Sequence, residues 1–358
     1  MIRRQLPDVA HRLREIVGDR HVAVPGAADL TDETETRGLR GSADLVVRPA
    51  TAEEVAAVVA TCYSAGVAIV PRGGGTGFAG GAVPLGGVVL SLERLNRVRS
   101  FDPLLWRINV EAGVRTSEVR RLARESGLTF PPDPGAAESS QIGGNIATNA
   151  GGPHAFKYGV TGDWVLGLEA VVAPGELIAV GGPFRKDVAG YDLKRLLVGS
   201  EGTLGIVTAA WLRLMPAPEA ALPVIGLYRD AEAGVAAIEA VLGNGLAVAT
   251  LEYLDGRVMR ASAATFPCTL PEETGFAVLA EVDGSPSEAA GLAADLVSVL
   301  DDGALAVHAP SQPSEIASLW RWRESISHAV TSQRGGKVSE DIVVPVDRLR
   351  EALARTAE

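Results

Sequence analysis

Between Val67 and Leu92 the chain reads VAIVPRGGGTGFAGGAVPLGGVVLSL, two short apolar runs separated by eight glycines in the fifteen residues from Gly73 to Gly87. No other stretch narrows the possible folds as much. Neighbouring glycines let the backbone adopt φ > 0 and turn several N–H groups toward one point, with no Cβ to hold a ligand off. The flanking runs are rich in valine, isoleucine and leucine and read as strands. The segment is therefore two strands joined by a loop built for close approach, and a pyrophosphate is the kind of group such a loop holds.

The flanks choose among the familiar glycine-loop patterns. Gly75, Gly77 and Gly80 satisfy G-x-G-x-x-G, but the dinucleotide fingerprint must open a helix, and Pro84, Gly86 and Gly87 lead instead into the strand VVLSL. A kinase loop would need a VAIK-type lysine strand with HRD and DFG segments, and the sequence has none. A turn-rich hairpin is the remaining plain alternative. Against it stands the backbone entropy that so many glycines lose on folding.

The 358 residues leave room for about two domains, each with its own core. With 33 basic against 44 acidic residues the net charge is −11, and no Lys/Arg cluster offers a track for a nucleic-acid backbone. Cys62 and Cys268 are far apart in apolar surroundings, so neither a disulfide framework nor a thiolate metal site is expected. A cytoplasmic location fits, with peripheral membrane attachment through a partner left open. The start, Met-Ile-Arg-Arg, is followed by Pro7 and Asp8 where a leader would be apolar, and no run of eighteen apolar residues occurs later.

Along the chain, Val9, Leu13, Ile16 and Val17 have helical spacing, Leu45 to Arg48 reads as a strand, and Thr51 with Glu54 forms a capping box for a helix to about Ser64. Two strands between Val98 and Ala112 precede a helix near Ser117 to Ser126. The second informative stretch, PPDPGAAESSQIGGNIATNAGG, follows, and no helix or strand is assigned to it. Its prolines fix an extended entry, and Gly143, Gly144, Gly151 and Gly152 bracket Asn145, Thr148 and Asn149. Side chains this small let the backbone lie against a flat, bulky group and hydrogen-bond it.

A strand pair at Val165 to Val172 and Leu177 to Val180 leads to the third run, DVAGYDLKRLLVGSEGTLGIVT, with Gly199, Gly202 and Gly205 ahead of a strand from Ile206 to Leu214. Valine at position 198 removes G-x-S-x-G and with it a serine-hydrolase reading. Pro216 and Pro218 mark a boundary. Beyond it the predicted order β-α-β-β-α-β over residues 223–308 is the ferredoxin-like split motif. A helix from Ser314 to about Ser332, a strand DIVVPV and a short last helix complete the chain.

Taken in series, the three glycine-rich runs resemble the FAD-binding domain of the vanillyl-alcohol-oxidase-type (PCMH) flavoproteins, and most nearly FAD-linked D-2-hydroxyacid dehydrogenases such as D-lactate dehydrogenases and glycolate oxidase FAD-binding subunits. The resemblance implies an α+β fold: a two-subdomain FAD-binding domain over residues 1–216, then a ferredoxin-like substrate or cap domain over 217–358. It implies FAD as cofactor. Arg72, Gly73, Gly74, Gly75, Thr76, Gly77, Gly80 and Gly81 would wrap the pyrophosphate. Pro132, Asp133, Ser140, Gly143, Gly144, Asn145, Thr148, Asn149, Gly151 and Gly152 would lie along the ribityl chain and isoalloxazine. Glu201, Gly202 and Ile206 would approach the adenosine side. Thr76 stands where covalent members often carry histidine, so the flavin is expected to be non-covalent.

The helix bearing Leu319-Trp320-Arg321-Trp322-Arg323-Glu324 resembles the family's W-x-x-R segment, whose arginine grips a substrate carboxylate. That points to Arg323, with Trp320 as packing. The plain alternative for Arg323 is an exposed helix residue paired with Glu324 or Glu315. The resemblance implies oxidation of a small D-2-hydroxy acid, lactate or glycolate, with electrons passed to an acceptor or partner subunit. Family segments H-P-x-G-D-G-N-x-H and E-H-G-x-G are absent from the sequence, so the cap domain is expected to stop short and turnover to be impaired. The alternative is a non-catalytic flavin-binding subunit of a hetero-oligomer. The five histidines lack metal-ligand spacing, and no metal is expected.

Overall fold

A computed structural model describes residues 2–34, 38–335 and 341–357. The chain divides into two compact units, the first of Met1–Gly152 and Gly159–Ala217, the second of Pro153–Tyr158 and Pro218–Glu358. Both mix helices with sheets, an α+β architecture.

In the first unit a four-stranded sheet runs in the order Val22–Ala23, Leu45–Val47, Val88–Ser91, Ile69–Arg72. Its last three strands are parallel. Every residue of Leu45–Val47 and Val88–Ser91 is buried, as continuous apolar runs in a parallel sheet require. The helix Ala52–Ser64 covers this sheet with Val55, Val58, Val59 and Cys62. Thr51 Oγ1 accepts from the Glu54 N–H at 3.2 Å and the Glu54 carboxylate accepts from the Ala50 N–H at 2.6 Å, so the Thr51/Glu54 pair starts the helix. The helix Ile2–Val17 packs Val9, Leu13 and Val17 into the same core.

The glycine loop joins Ile69–Arg72 to Val88–Ser91, and these strands pair in parallel, Ile69 beside Val88 and Arg72 beside Ser91. A hairpin would make them antiparallel, so that alternative is excluded. The loop is a crossover without a helix. A second, antiparallel sheet of five strands follows the order Val98–Asp102, Arg107–Glu111, Ile206–Arg213, Val165–Val172, Glu176–Gly181.

The second unit is built on one antiparallel sheet ordered Thr250–Asp255, Phe276–Gly284, Ala220–Tyr228, Ala306–His308. Alternation along the central strand separates two cores. Phe276, Val278, Ala280 and Val282 pack with Ile238, Val241, Leu296 and Leu300 of the helices Ala231–Gly243 and Pro286–Leu300. Ala277 and Leu279 pack on the other face with Leu319 and Trp322 of the helix Pro313–Arg334. This is the β-α-β-β-α-β arrangement read from the sequence, with the helices Gly256–Ser262, through Met259, and Pro313–Arg334 covering the second face.

Two local expectations fail. The run DIVVPV forms no strand: Ile342 is 66% and Val343 98% exposed, and Pro345 has no N–H to give a ladder. The stretch GGNIATN, left without an element, folds as the helix Ile142–Thr148, ended by Asn149 at φ 52°. Packing overrides poor helix propensity there, because Gly143 lies where a Cβ would come within 2.6 Å of the Ala112 Cβ.

Candidate functional site

The three glycine runs meet in the first unit. A Cβ on Gly74 would overlap the Ser139 carbonyl, and one on Gly73 would lie 3.5 Å from the Gly144 Cα, so the first run lies directly on the second. A Cβ on Gly81 would come within 2.5 Å of Glu201 Oε2, and one on Gly202, at φ +78°, would overlap the Pro71 ring. The first run thus touches the third as well. The Gly199 N–H donates to the Ile146 carbonyl at 3.0 Å and the Glu201 N–H to the Ala147 carbonyl at 2.8 Å, which ties the third run to the end of the second.

The sequence-predicted side chains divide into those that hold this arrangement and those that line it. Ser140 and Asn145 are buried: Asn145 Nδ2 donates to Thr116 Oγ1 at 2.6 Å, and Thr116 Oγ1 lies 2.8 Å from Ser140 Oγ. Asn149 Oδ1 accepts from the Gly162 N–H at 2.8 Å, and Thr148 bonds back to the Gly144 carbonyl. Pro132 is buried, Gly151 is half-buried, and Gly152 is packed so closely on Asp133 that a Cβ would overlap it. Ile206 belongs to the core. Arg72 folds over its own loop, donating to the Ala82 carbonyl at 3.3 Å and lying where a Gly75 Cβ would be. Gly75 and Gly80 have φ of +69° and +80°, and Thr76 and Gly77 are half-buried.

In the second unit Arg323 lies on the Pro313–Arg334 helix, one residue past the buried Trp322. Among the described residues it pairs with Glu252, on the Thr250–Asp255 strand, rather than with Glu324 or Glu315: Arg323 Nε donates to Glu252 Oε2 at 2.8 Å and Nη2 to Oε1. A recess of about 260 Å³ opens here, lined by Glu252, Tyr253, Leu254, Arg323, Glu324, Ile326 and Ser327.

A second group of charges was not found from the sequence. Glu281 and Asp283, 3% and 5% exposed, continue the Ala277/Leu279 face of the central strand. Glu281 Oε1 lies 2.7 Å from His154 Nε2, and its Oε2 accepts from Trp320 Nε1 at 2.8 Å. Asp283 accepts from Lys157 Nζ and, at 2.6 Å, from the Tyr158 hydroxyl. Burial, with the hydrogen bond to Asp283 and its charge behind it, holds the Tyr158 phenol protonated far above its ordinary range. Trp320 packs as expected, yet it also donates. Two carboxylates spaced by two within an otherwise apolar strand, LAEVDG, were the available signal.

Residues 43–181 match the family described as FAD binding domain, and residues 217–358 match FAD linked oxidases, C-terminal domain. The chain is 35% identical over 342 residues to the glycolate oxidase subunit GlcD of Bacillus subtilis (strain 168), covering 94% of this chain and 73% of that protein. The chain belongs to the FAD-linked oxidases. The mitochondrial D-2-hydroxyglutarate dehydrogenase of Bos taurus is 34% identical over 94% of this chain, which spans 63% of the bovine protein's length. Among solved structures, an alkyldihydroxyacetonephosphate synthase superposes with a TM-score of 0.78 at 18% identity, covering 98% of this chain and 74% of that one, a likeness of fold.

FAD is the cofactor of this FAD-linked oxidase family, and the residues where the three glycine runs meet fit it. Gly77 and Gly144 have open space where a Cβ would stand, so backbone is presented directly. Gln141 Oε1 is buried without a hydrogen-bond partner beside Gly73. Such an atom suits a ligand donor at that point. Among the described residues of this oxidase no helix is long and apolar enough to cross a membrane.

Proposed function

We propose that the chain binds FAD non-covalently where its three glycine runs meet, and that it oxidises a small D-2-hydroxy acid of the lactate or glycolate type to the 2-oxo acid. The observation that carries the reading is the mutual contact of the runs, Gly74 on Ser139 and Gly81 on Glu201. Runs of tiny residues far apart in sequence converge, and convergence is what one extended ligand demands. Thr76, in the loop position where a histidine could form a covalent bond, supports non-covalent attachment.

When bound, FAD supplies the acceptor for the hydride from the substrate α-carbon. The chain's own residues bind and orient. The first loop offers N–H groups to phosphate oxygens with Arg72 as its cation. The guanidinium of Arg323 offers a carboxylate a planar pair of N–H donors, which fixes the hydroxyl-bearing carbon relative to the carboxylate. A hydroxy-acid substrate is favoured over a neutral sugar because a carboxylate-binding arginine has no use with the latter.

The purified chain should be yellow, and acid precipitation should leave the flavin in the supernatant. Incubated with D-lactate or glycolate, the chain alone should reduce a dye acceptor only weakly, as the absent H-P-x-G-D-G-N-x-H and E-H-G-x-G segments imply. A colourless protein that takes up no added FAD would overturn the cofactor half, and activity on aldonolactones alone would overturn the substrate half. The Bacillus relative carries the name of a subunit, which favours a second reading as the flavin-binding member of a hetero-oligomer. A yellow chain without turnover that gains it on adding a partner subunit would select that reading.

A further inference from the structure

Resting on the reading that FAD lies where the three glycine runs meet, we propose that Asp32 is a further cofactor-binding residue, its unpartnered carboxylate oxygen accepting from a hydroxyl of the sugar chains that flank the pyrophosphate. Asp32 stands ahead of residue 43, where the match to the FAD binding domain begins. The stretch around it is laid along the first glycine loop. The Glu33 N–H, on the peptide that follows Asp32, donates to the Gly77 carbonyl at 3.0 Å, and the Gly41 N–H donates to the Leu30 carbonyl at 2.8 Å. A Cβ on Gly80 would lie 3.0 Å from Leu39 Cδ2. Asp32 is 5% exposed. Its Oδ1 accepts from the Thr34 N–H at 2.9 Å and from the Thr34 hydroxyl, while its Oδ2 is buried with no hydrogen-bond partner. A buried carboxylate oxygen without a donor is costly, so its place beside the loop asks for a donor that arrives with a ligand.

Charge decides which part of the ligand that donor belongs to. Burial lowers the Arg72 guanidinium from its ordinary range, and the charges of Asp29 and Asp32 oppose that, so both carboxylates lie within reach of its field. Asp29 already accepts from the Gly26 N–H at 2.8 Å and lies 3.5 Å from Arg48 Nη2, which leaves Asp32 with the oxygen to spare. A pyrophosphate only accepts hydrogen bonds and is repelled by a carboxylate, so it takes the N–H groups of the loop and Arg72. Hydroxyls donate, and FAD carries them on both sides of its pyrophosphate, on the ribose and on the ribityl chain. At the Gly73 end of the same loop Gln141 Oε1 is another buried acceptor without a partner. Donors in the middle with an acceptor at each end are the inverse of a pyrophosphate set between two polyols.

The test uses the full chain freed of flavin, titrated with FAD and with two analogues, one carrying dideoxyribose on the adenosine and one whose ribityl hydroxyls are replaced by hydrogen. Affinity is read by equilibrium dialysis, with the melting temperature as a check on folding. The unaltered chain should bind FAD at least about tenfold more tightly than one of the analogues, the worth of a hydrogen bond to a charged acceptor. Asp32→Ala should weaken FAD by about the same factor and leave that analogue unchanged, so that the preference vanishes. Asp32→Asn, which keeps an oxygen for Thr34, serves if the Ala variant melts early: it should shrink the preference, because a neutral amide bonds a hydroxyl less strongly than a carboxylate does. The analogue whose loss disappears in the variants names the sugar that donates.

Equal affinities of the unaltered chain for all three compounds would overturn the proposal, the result expected if a buried water meets Oδ2. So would variants that weaken FAD and both analogues by one factor, the result of a displaced Arg72 or of lost structure. The two layers separate on FAD alone. If the unaltered chain takes up no FAD, the cofactor reading itself fails; if it takes up FAD and the Asp32 variants bind it equally well, only the proposal fails.

Discussion

In the first unit the residues that would meet a ligand are defined by what they lack. Gly74, Gly81 and Gly202 stand where any Cβ would strike a neighbouring segment, and the polar side chains nearby, Ser140 and Asn145, are committed to Thr116. In the second unit the corresponding places are filled by long charged side chains that meet one another: Arg323 with Glu252, Lys157 with Asp283, His154 with Glu281. The difference is one of tolerance. A backbone surface fails when anything is added, whereas a charge pair fails when one member is taken away.

The largest effect should come from adding atoms to the first unit. Gly74→Val drives a branched side chain into the Ser139 carbonyl, and FAD affinity should drop at least about 100-fold, since overpacking against backbone that cannot yield costs several kcal/mol. Equilibrium dialysis with FAD measures it; a normally yellow variant would break the contrast. Next, Asp283→Ala should destabilise the chain by about 3 kcal/mol by leaving the Lys157 ammonium and the Tyr158 hydroxyl without their buried acceptor. Urea unfolding should show it, and Asp283→Asn should lose less.

Cys62, a thiol in the first unit's core, adds a titration to the contrast. Burial pushes that thiol up from 9.0 to about 11. The unfolded chain releases the proton near pH 9 and the folded chain holds it until about 11, so stability falls as pH rises across that window. Cys62→Ala should flatten the fall by about 2 kcal/mol between those limits in urea unfolding at stepped pH. The smallest change should follow Arg323→Lys, which keeps the charge and loses the fork. Pyruvate affinity should drop about tenfold with FAD affinity unchanged, and a loss of flavin would break the contrast.

Legibility followed the same division. Absence of side chains is visible as composition, so the glycine runs and their joint purpose could be read directly, and strand alternation carried the ferredoxin-like order. The helix over Ile142–Thr148 could not be read, because glycine's poor propensity is outvoted only by a contact with Ala112, thirty-one residues earlier. The strand assigned to DIVVPV rested on β-branched residues alone, and exposure with Pro345 defeats it. Arg323 was found through its motif, but its partner was sought nearby on the helix. Glu252 lies 71 positions away, and no local pattern connects residues at that distance.

The six residues Pro153–Tyr158 count with the second unit although they interrupt the first. Cutting the gene after Ala217 would therefore strand the donors His154, Lys157 and Tyr158 on one fragment and their acceptors Glu281 and Asp283 on the other. In this chain neither half is a cassette that recombination could move intact: the short insert has to travel with the sheet that receives it.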